Sequence, residues 1–195
     1  MPSILPGKRI LILCEGETEY FYAKALQSTL PRDKQRGIAV ETFIHKPNDP
    51  KSIAEEARKR VILAKKEKNP FSEVWLFFDN DNWPQLAQAF EIIRKEEFRY
   101  AYCSKCFEHW FILHFENCGR AFINSEEALS HLKTHWPEYH KTRIKHFETL
   151  KNRLAEAIQR AKLLRKNSPQ GLRLYEKNPF ITIDTLVEFF EDLKK

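Results

Sequence analysis

Three carboxylates stand where an apolar run has just ended. Glu15 follows Arg9-Ile10-Leu11-Ile12-Leu13-Cys14, and Asp79 and Asp81 follow Glu73-Val74-Trp75-Leu76-Phe77-Phe78. In an extended segment the two-residue spacing returns both aspartates to one face. Carboxylates that converge repel one another and raise their own pKa values unless a cation neutralises them. Mg2+ or Mn2+ meets that need, because these hard ions favour carboxylate and water oxygens and keep positions open for substrate phosphate. The chemistry in prospect is metal-assisted phosphodiester hydrolysis with an activated water, since no side chain stands out as a nucleophile. A purely structural account fits the same residues. In it Glu15 caps the next helix, Glu17 and Glu19 favour that helix's positive end, and Asp79-Asn80-Asp81-Asn82 makes a turn.

The elements that must position these groups follow from periodicity. Residues 9–14 have the length and continuous apolar character of a strand buried on both faces, the parallel-sheet pattern. Gly16 supplies a turn, Thr18 is a candidate cap, and Tyr20, Phe21, Ala23, Lys24 and Leu26 follow at helical spacing. A second strand at 38–44 leads through Pro47 and Pro50 to a helix carrying Ile53, Ala54, Ala57, Val61 and Ala64. A third strand at 73–78 runs into the acidic turn and a helix with Leu86, Ala89, Phe90 and Ile93, and a fourth fits 99–103. This β-α-β-α-β-α-β order predicts an α/β fold with a mostly parallel four-stranded sheet flanked by helices. In such sheets functional groups collect beyond the carboxyl ends of the strands, the edge that bears Glu15, Asp79 and Asp81. From Phe107 the pattern turns helical: a face of Phe107, Trp110, Phe111, His114 and Phe115, a long amphipathic helix over Leu150–Leu164, and a last helix over Ile183–Leu193. The reading is one domain over 1–195, with an α/β core at 1–103 and a mainly helical extension at 104–195 packed on it.

With 42% hydrophobic and 13% aromatic residues, the chain carries enough apolar surface to fold, which excludes a disordered protein. It has no apolar run long enough to span a membrane, and Met1–Lys8 lacks the apolar core of a secretory leader, so a cytoplasmic location is expected. The four cysteines are then expected to be reduced thiols. A net charge of +6 is compatible with a polyanionic partner, although 27 acidic residues accompany the 33 basic ones.

Glu108 lies just after the fourth strand, where it either faces the acidic cluster as a further carboxylate or caps a helix within an apolar core. Cys103 and Cys106, with His109, His114 and Cys118 near, contain zinc-type ligands, but a single CxxC without a second pair favours buried thiols. A basic stretch that includes Lys141, Arg143, Arg160 and Lys162 is suited to phosphate contacts, and equally to a solvated helix face or a docking surface for a partner.

Cys14-Glu15-Gly16-Glu17-Thr18-Glu19, Phe78-Asp79-Asn80-Asp81 and Cys106-Phe107-Glu108-His109-Trp110-Phe111-Ile112-Leu113-His114-Phe115 together resemble the RloB family. The likeness extends to Tyr139, Lys141, the helix around 157–162 and Asn178-Pro179-Phe180-Ile181-Thr182, nearly the whole chain. Ser104-Lys105-Cys106 stands where the family commonly has an asparagine and a proline, a departure that removes no proposed ligand. The resemblance implies a Toprim-like core in which Glu15, Asp79 and Asp81 hold Mg2+ or Mn2+, with Glu19 as a secondary acid. It also implies a setting in bacterial and archaeal phage defence and pairing with an ATPase of the AAA or ABC-like type. The leading expectation is a nuclease subunit gated by that ATPase, acting on DNA or RNA. The other is a non-catalytic adaptor that binds nucleic acid or a nucleotide at the same edge. Homo-oligomerisation stays open.

Overall fold

The computed structural model describes residues 7–141 and 145–195. Four strands, β1 (Lys8–Cys14), β2 (Ile38–Ile44), β3 (Glu73–Asp79) and β4 (Arg99–Cys103), form one sheet in the order β2-β1-β3-β4 with every pairing parallel. Helices α1 (Glu17–Ser28) and α2 (Arg32–Gly37) carry the chain from β1 to β2. Helix α3 (Pro50–Lys66) carries it from β2 to β3, and α4 (Leu86–Lys95) from β3 to β4.

The continuous apolar strands are explained by cores on both faces of the sheet. Ile10, Ile12, Trp75 and Phe77 point to the face covered by α1, whereas Leu11, Leu13, Leu76 and Phe78 point to the face covered by α3 and α4. The chain turns to β2 on one side of β1 and then returns to β3 on the other, so the order reverses between β1 and β3. A crevice opens at such a switch point, beyond the carboxyl ends of the two strands.

The C-terminal part comprises α5 (Glu108–Ile112), α6 (Ser125–His135), α7 (His146–Leu150), α8 (Leu154–Lys166) and α9 (Ile183–Lys194). Phe111, Leu132, Phe147, Ala157 and Phe190 from these helices share one buried cluster with Ile10, Ile12 and Tyr22, so the extension and the sheet have a common core. Between α8 and α9 the chain lies antiparallel along the outer edge of β4. Thr182 N–H donates to the Tyr102 carbonyl at 2.8 Å, Tyr102 N–H donates to Thr182 Oγ1 at 3.0 Å, and Cys103 bridges Ile181. This strap covers an edge that would otherwise offer unpaired backbone groups. Arg165 of α8 clamps it, reaching the Ile181 carbonyl and both oxygens of the fully buried Asp184 carboxylate on α9.

Three expectations are corrected. Gly16, not Thr18, is the N-cap of α1, and Thr18 lies within the first turn. The single long helix expected from Leu150 is interrupted by a 3-10 turn at Lys151–Arg153, which separates α7 from α8. Helices α2 and α6 were not anticipated. No described helix is long and apolar enough to cross a membrane.

Candidate functional site

Beyond the β1 and β3 ends lies an open cavity of about 390 Å3, bordered by Glu15, Glu19, Asp79, Asp81, Glu108 and Lys141, with Asn48 and Lys105 also in its lining. With Glu17, which also lines it, six acids from four chain segments meet at the switch point.

Each is placed by a different device. Glu15 N–H continues the ladder onto the Phe77 carbonyl at 2.9 Å, which holds the residue at the tip of β1. Its carboxylate accepts from Asp79 N–H at 2.9 Å and from Trp83 Nε1 at 3.1 Å. Glu15 thereby spans the gap between the strands. Glu19, in the first turn of α1, is buried under the cavity floor. A Cβ on Gly16 would sit 3.2 Å from its carboxylate, so the absence of a side chain there lets Glu19 fold back toward the cap. Asp79 ends β3, while Asp81 is exposed on the following bend. Asn82 takes a left-handed φ of 58°, a conformation asparagine tolerates, and it anchors the bend by accepting from Lys105 Nζ at 2.9 Å. Glu108 opens α5 and is buried, its carboxylate accepting from Tyr139 Oη at 3.0 Å. An aromatic group seats α5 from behind: Trp110 Nε1 donates to Tyr22 Oη at 2.8 Å, and the Tyr22 ring packs edge-on against Phe77, Phe107 and Phe147.

The electrostatics follow from this crowding. Loss of solvent and the nearby Glu19 charge push Glu15 up to about 7, against the two hydrogen bonds that favour its ionised form. Burial followed by repulsion from Glu108 also pushes Glu19 up to about 7, while Lys141 pulls it back. Asp79 is raised well above the usual carboxylate range by burial and by Glu15, Glu19, Glu108 and Asp81 in turn. Lys141 is raised chiefly by Glu108, as expected for a cation facing a basin of acids.

Oxygen donors that destabilise one another, beside an open cavity, are the donor set of a hard divalent ion. Glu15, Asp79 and Asp81 fit such an ion by residue type and placement. In the metal-free geometry, however, no three of the described carboxylates at this edge lie with ligand atoms within 4.8 Å of one another. A three-carboxylate coordination sphere is therefore not preformed at this edge among the described residues.

The other candidates separate from this cavity. Arg160 donates to the Leu113 carbonyl at 2.7 Å, Lys162 pairs with Glu188, and neither lines the cavity. Arg143 lies outside the described residues. Of the basic stretch, Lys141 alone among the described residues reaches the acidic basin. The cysteine and histidine group does not assemble. Cys103 Sγ donates to the Cys106 carbonyl, His109 to the Cys118 carbonyl and His114 to the Trp110 carbonyl, and all four cysteines are free and buried. Burial raises the Cys103 and Cys106 thiols, which favours the protonated form over the metal-binding thiolate. Two positioning groups escaped the sequence reading, Trp83 on Glu15 and Tyr139 on Glu108. The visible signal was an aromatic with a polar tip directly after the acidic pair.

Parallel sheet, switch-point crevice and acidic rim define an α/β protein with an acidic cavity at the carboxyl edge of its sheet. Residues 10–190 match the model of the RloB-like protein family, and the chain belongs to that family. No curated protein and no solved structure gives a significant match to it.

Proposed function

We propose that this chain is the metal-dependent nuclease subunit of a phage-defence system, cleaving nucleic-acid phosphodiesters with Mg2+ or Mn2+ under the control of a partner ATPase. One observation carries the reading: six carboxylates from four chain segments converge at the switch point, and burial and mutual repulsion raise the pKa values of three of them. The defence setting and the ATPase partner are what the resemblance to the RloB family implies, and the chain belongs to that family. Glu15, Asp79 and Asp81 would hold the ion, which when bound would supply charge neutralisation and a more acidic water. Glu15 is held in place by Asp79 N–H and Trp83, and Glu108 by Tyr139. Glu19, buried beside these acids and raised by burial and by Glu108 in the metal-free chain, is the further acid of the cluster. Lys141 offers a cation to a phosphate entering the cavity.

The test is cleavage of circular DNA, single-stranded DNA and transfer RNA by the purified chain, with and without its ATPase partner, in Mn2+, Mg2+ or chelator. Cutting that disappears with chelator and in Asp79→Ala/Asp81→Ala is the expected result. Metal-dependent cutting retained by that variant would refute the site.

One observation favours a second reading, that of a non-catalytic adaptor. Both Glu15 oxygens already accept protein hydrogen bonds, and Lys141 already supplies a positive charge to the basin. On that reading nucleic acid or a nucleotide binds at this edge without turnover, and binding persists in chelator.

A further inference from the structure

A different set of ligand atoms is already gathered between the segment that follows α5 and helix α6. Within the described residues, Glu116, His131 and His135 each offer a donor atom, all within 4.8 Å of one another. His131 and His135 are one helical turn apart on α6, so their rings project from the same face. Glu116, in the segment after α5, turns its carboxylate toward both: Oε1 lies 2.6 Å from His131 Nε2, and Oε2 lies 3.3 Å from His135 Nε2. The rings are buttressed. His135 stacks on Phe115 with centroids 5.8 Å apart and planes 12° from parallel, and His131 packs against the fully buried Phe122 at 5.6 Å. The side chains are partly exposed, 25% for His131 and 29% for His135, so an ion can reach them from solvent.

We propose that Glu116, His131 and His135 form a second cation site, selective for a borderline divalent ion of the Zn2+ class and separate from the acidic cavity. Two imidazoles and one carboxylate are a zinc donor set, with a fourth position left for water. Imidazole strongly favours Zn2+ over Mg2+, whereas carboxylate and water oxygens are the ligands that suit Mg2+ and Mn2+, so the two places differ in ligand type. The site is one of binding, not hydrolysis. In the His-Glu-x-x-His helices of metalloproteases a glutamate follows the first histidine as general base, but here that position is Leu132, which is fully buried. The ion would tie the segment after α5 to α6, and so stiffen the helices packed behind the acidic cavity.

The experiment uses the metal-stripped full chain, titrated with Zn2+ against a chromophoric chelator and with Co2+ by visible absorption. One equivalent that depends on His131 and His135 is expected, beside any ion taken up by the acidic cavity, with a Co2+ spectrum of low coordination number. Affinity should fall at least about tenfold in Glu116→Gln and about a hundredfold in His131→Gln/His135→Gln. In an Asp79→Asn/Asp81→Asn background, Zn2+ should raise the melting temperature of the chain but not of its double-histidine variant, and the affinity of the histidine-dependent equivalent should be unchanged by the Asp79→Asn/Asp81→Asn changes. Equal Zn2+ affinity in the wild-type and double-histidine chains would overturn the site. Full affinity in Glu116→Gln would overturn the three-ligand arrangement, leaving only a bare histidine pair.

Discussion

At the scale of single residues, the acidic edge exacts stability in exchange for a site. Glu15 and Glu19 have pKa values raised from 4.5 to about 7, so the folded chain holds protons that the unfolded chain releases. A raised carboxylate pKa means that the metal-free fold is favoured below about pH 4.5 and loses that contribution as pH rises through about 7. Divalent ions compete with those protons. The melting-temperature gain from saturating Mn2+ should therefore be small near pH 5 and large near pH 8, as scanning calorimetry across that range would read. Asp79→Asn removes one of the repelling charges at nearly constant shape. It should stabilise the metal-free chain by about 1 kcal/mol while abolishing the Mn2+ gain. Loss of stability in metal-free Asp79→Asn would show that the Asp79 carboxylate is structural. Glu15, Asp79 and Asp81 were legible in the sequence because each follows an apolar run. The roles of Trp83 and Tyr139 were not, because a hydrogen bond across 68 residues, such as Trp83 to Glu15, leaves no local pattern.

At the scale of elements, the strap along β4 depends on a buried ion pair. Asp184 is fully buried and Arg165 grips both of its oxygens, so Asp184→Ala would leave a guanidinium largely without its partner. That change should cost about 3 kcal/mol in urea unfolding. Lys162→Ala, which breaks an exposed pair with Glu188, should cost less than about 1 kcal/mol. Comparable losses in the two variants would mean that the clamp does not secure the strap. Strands β2 and β4 were readable to the residue, since their apolar runs are bounded by polar turns. Helix α6 was missed although Asn124 caps it by accepting from Glu127 N–H, and Glu126 and Glu127 sit in its first turn. The signal was a capping pattern before a stretch that carries few large apolar residues. The break after α7 was hidden because apolar spacing continues through the 3-10 turn, from Leu150 to Leu154 and Ala157.

At the scale of the whole molecule, one core joins the sheet to the helical half, and His109 and His114 are buried in that half. His109 and His114 are held neutral by burial, with pKa values lowered from 6.5 to about 4. A depressed histidine pKa gives stability that is present above 6.5 and lost as pH falls through about 4. This contribution falls over that window and opposes the gain from Glu15 and Glu19, so His109→Gln should become more stable relative to the wild-type chain as pH drops from 6.5 to about 4; a difference that does not change with pH would place the acid transition elsewhere. The α/β class and the parallel sheet were visible in the sequence because buried strands and amphipathic helices alternate. The second cation site was not, because the distance between the Glu116 segment and α6 is set by packing alone. The central claim is that the switch-point carboxylates bind a divalent cation. Its most direct test is Mn2+ binding at about pH 8, followed by electron paramagnetic resonance in a His131→Gln/His135→Gln background that removes the second site. One bound Mn2+, weakened at least about tenfold by Asp79→Asn/Asp81→Asn, is the predicted result. Binding of equal strength in both proteins, or none in either, would contradict it.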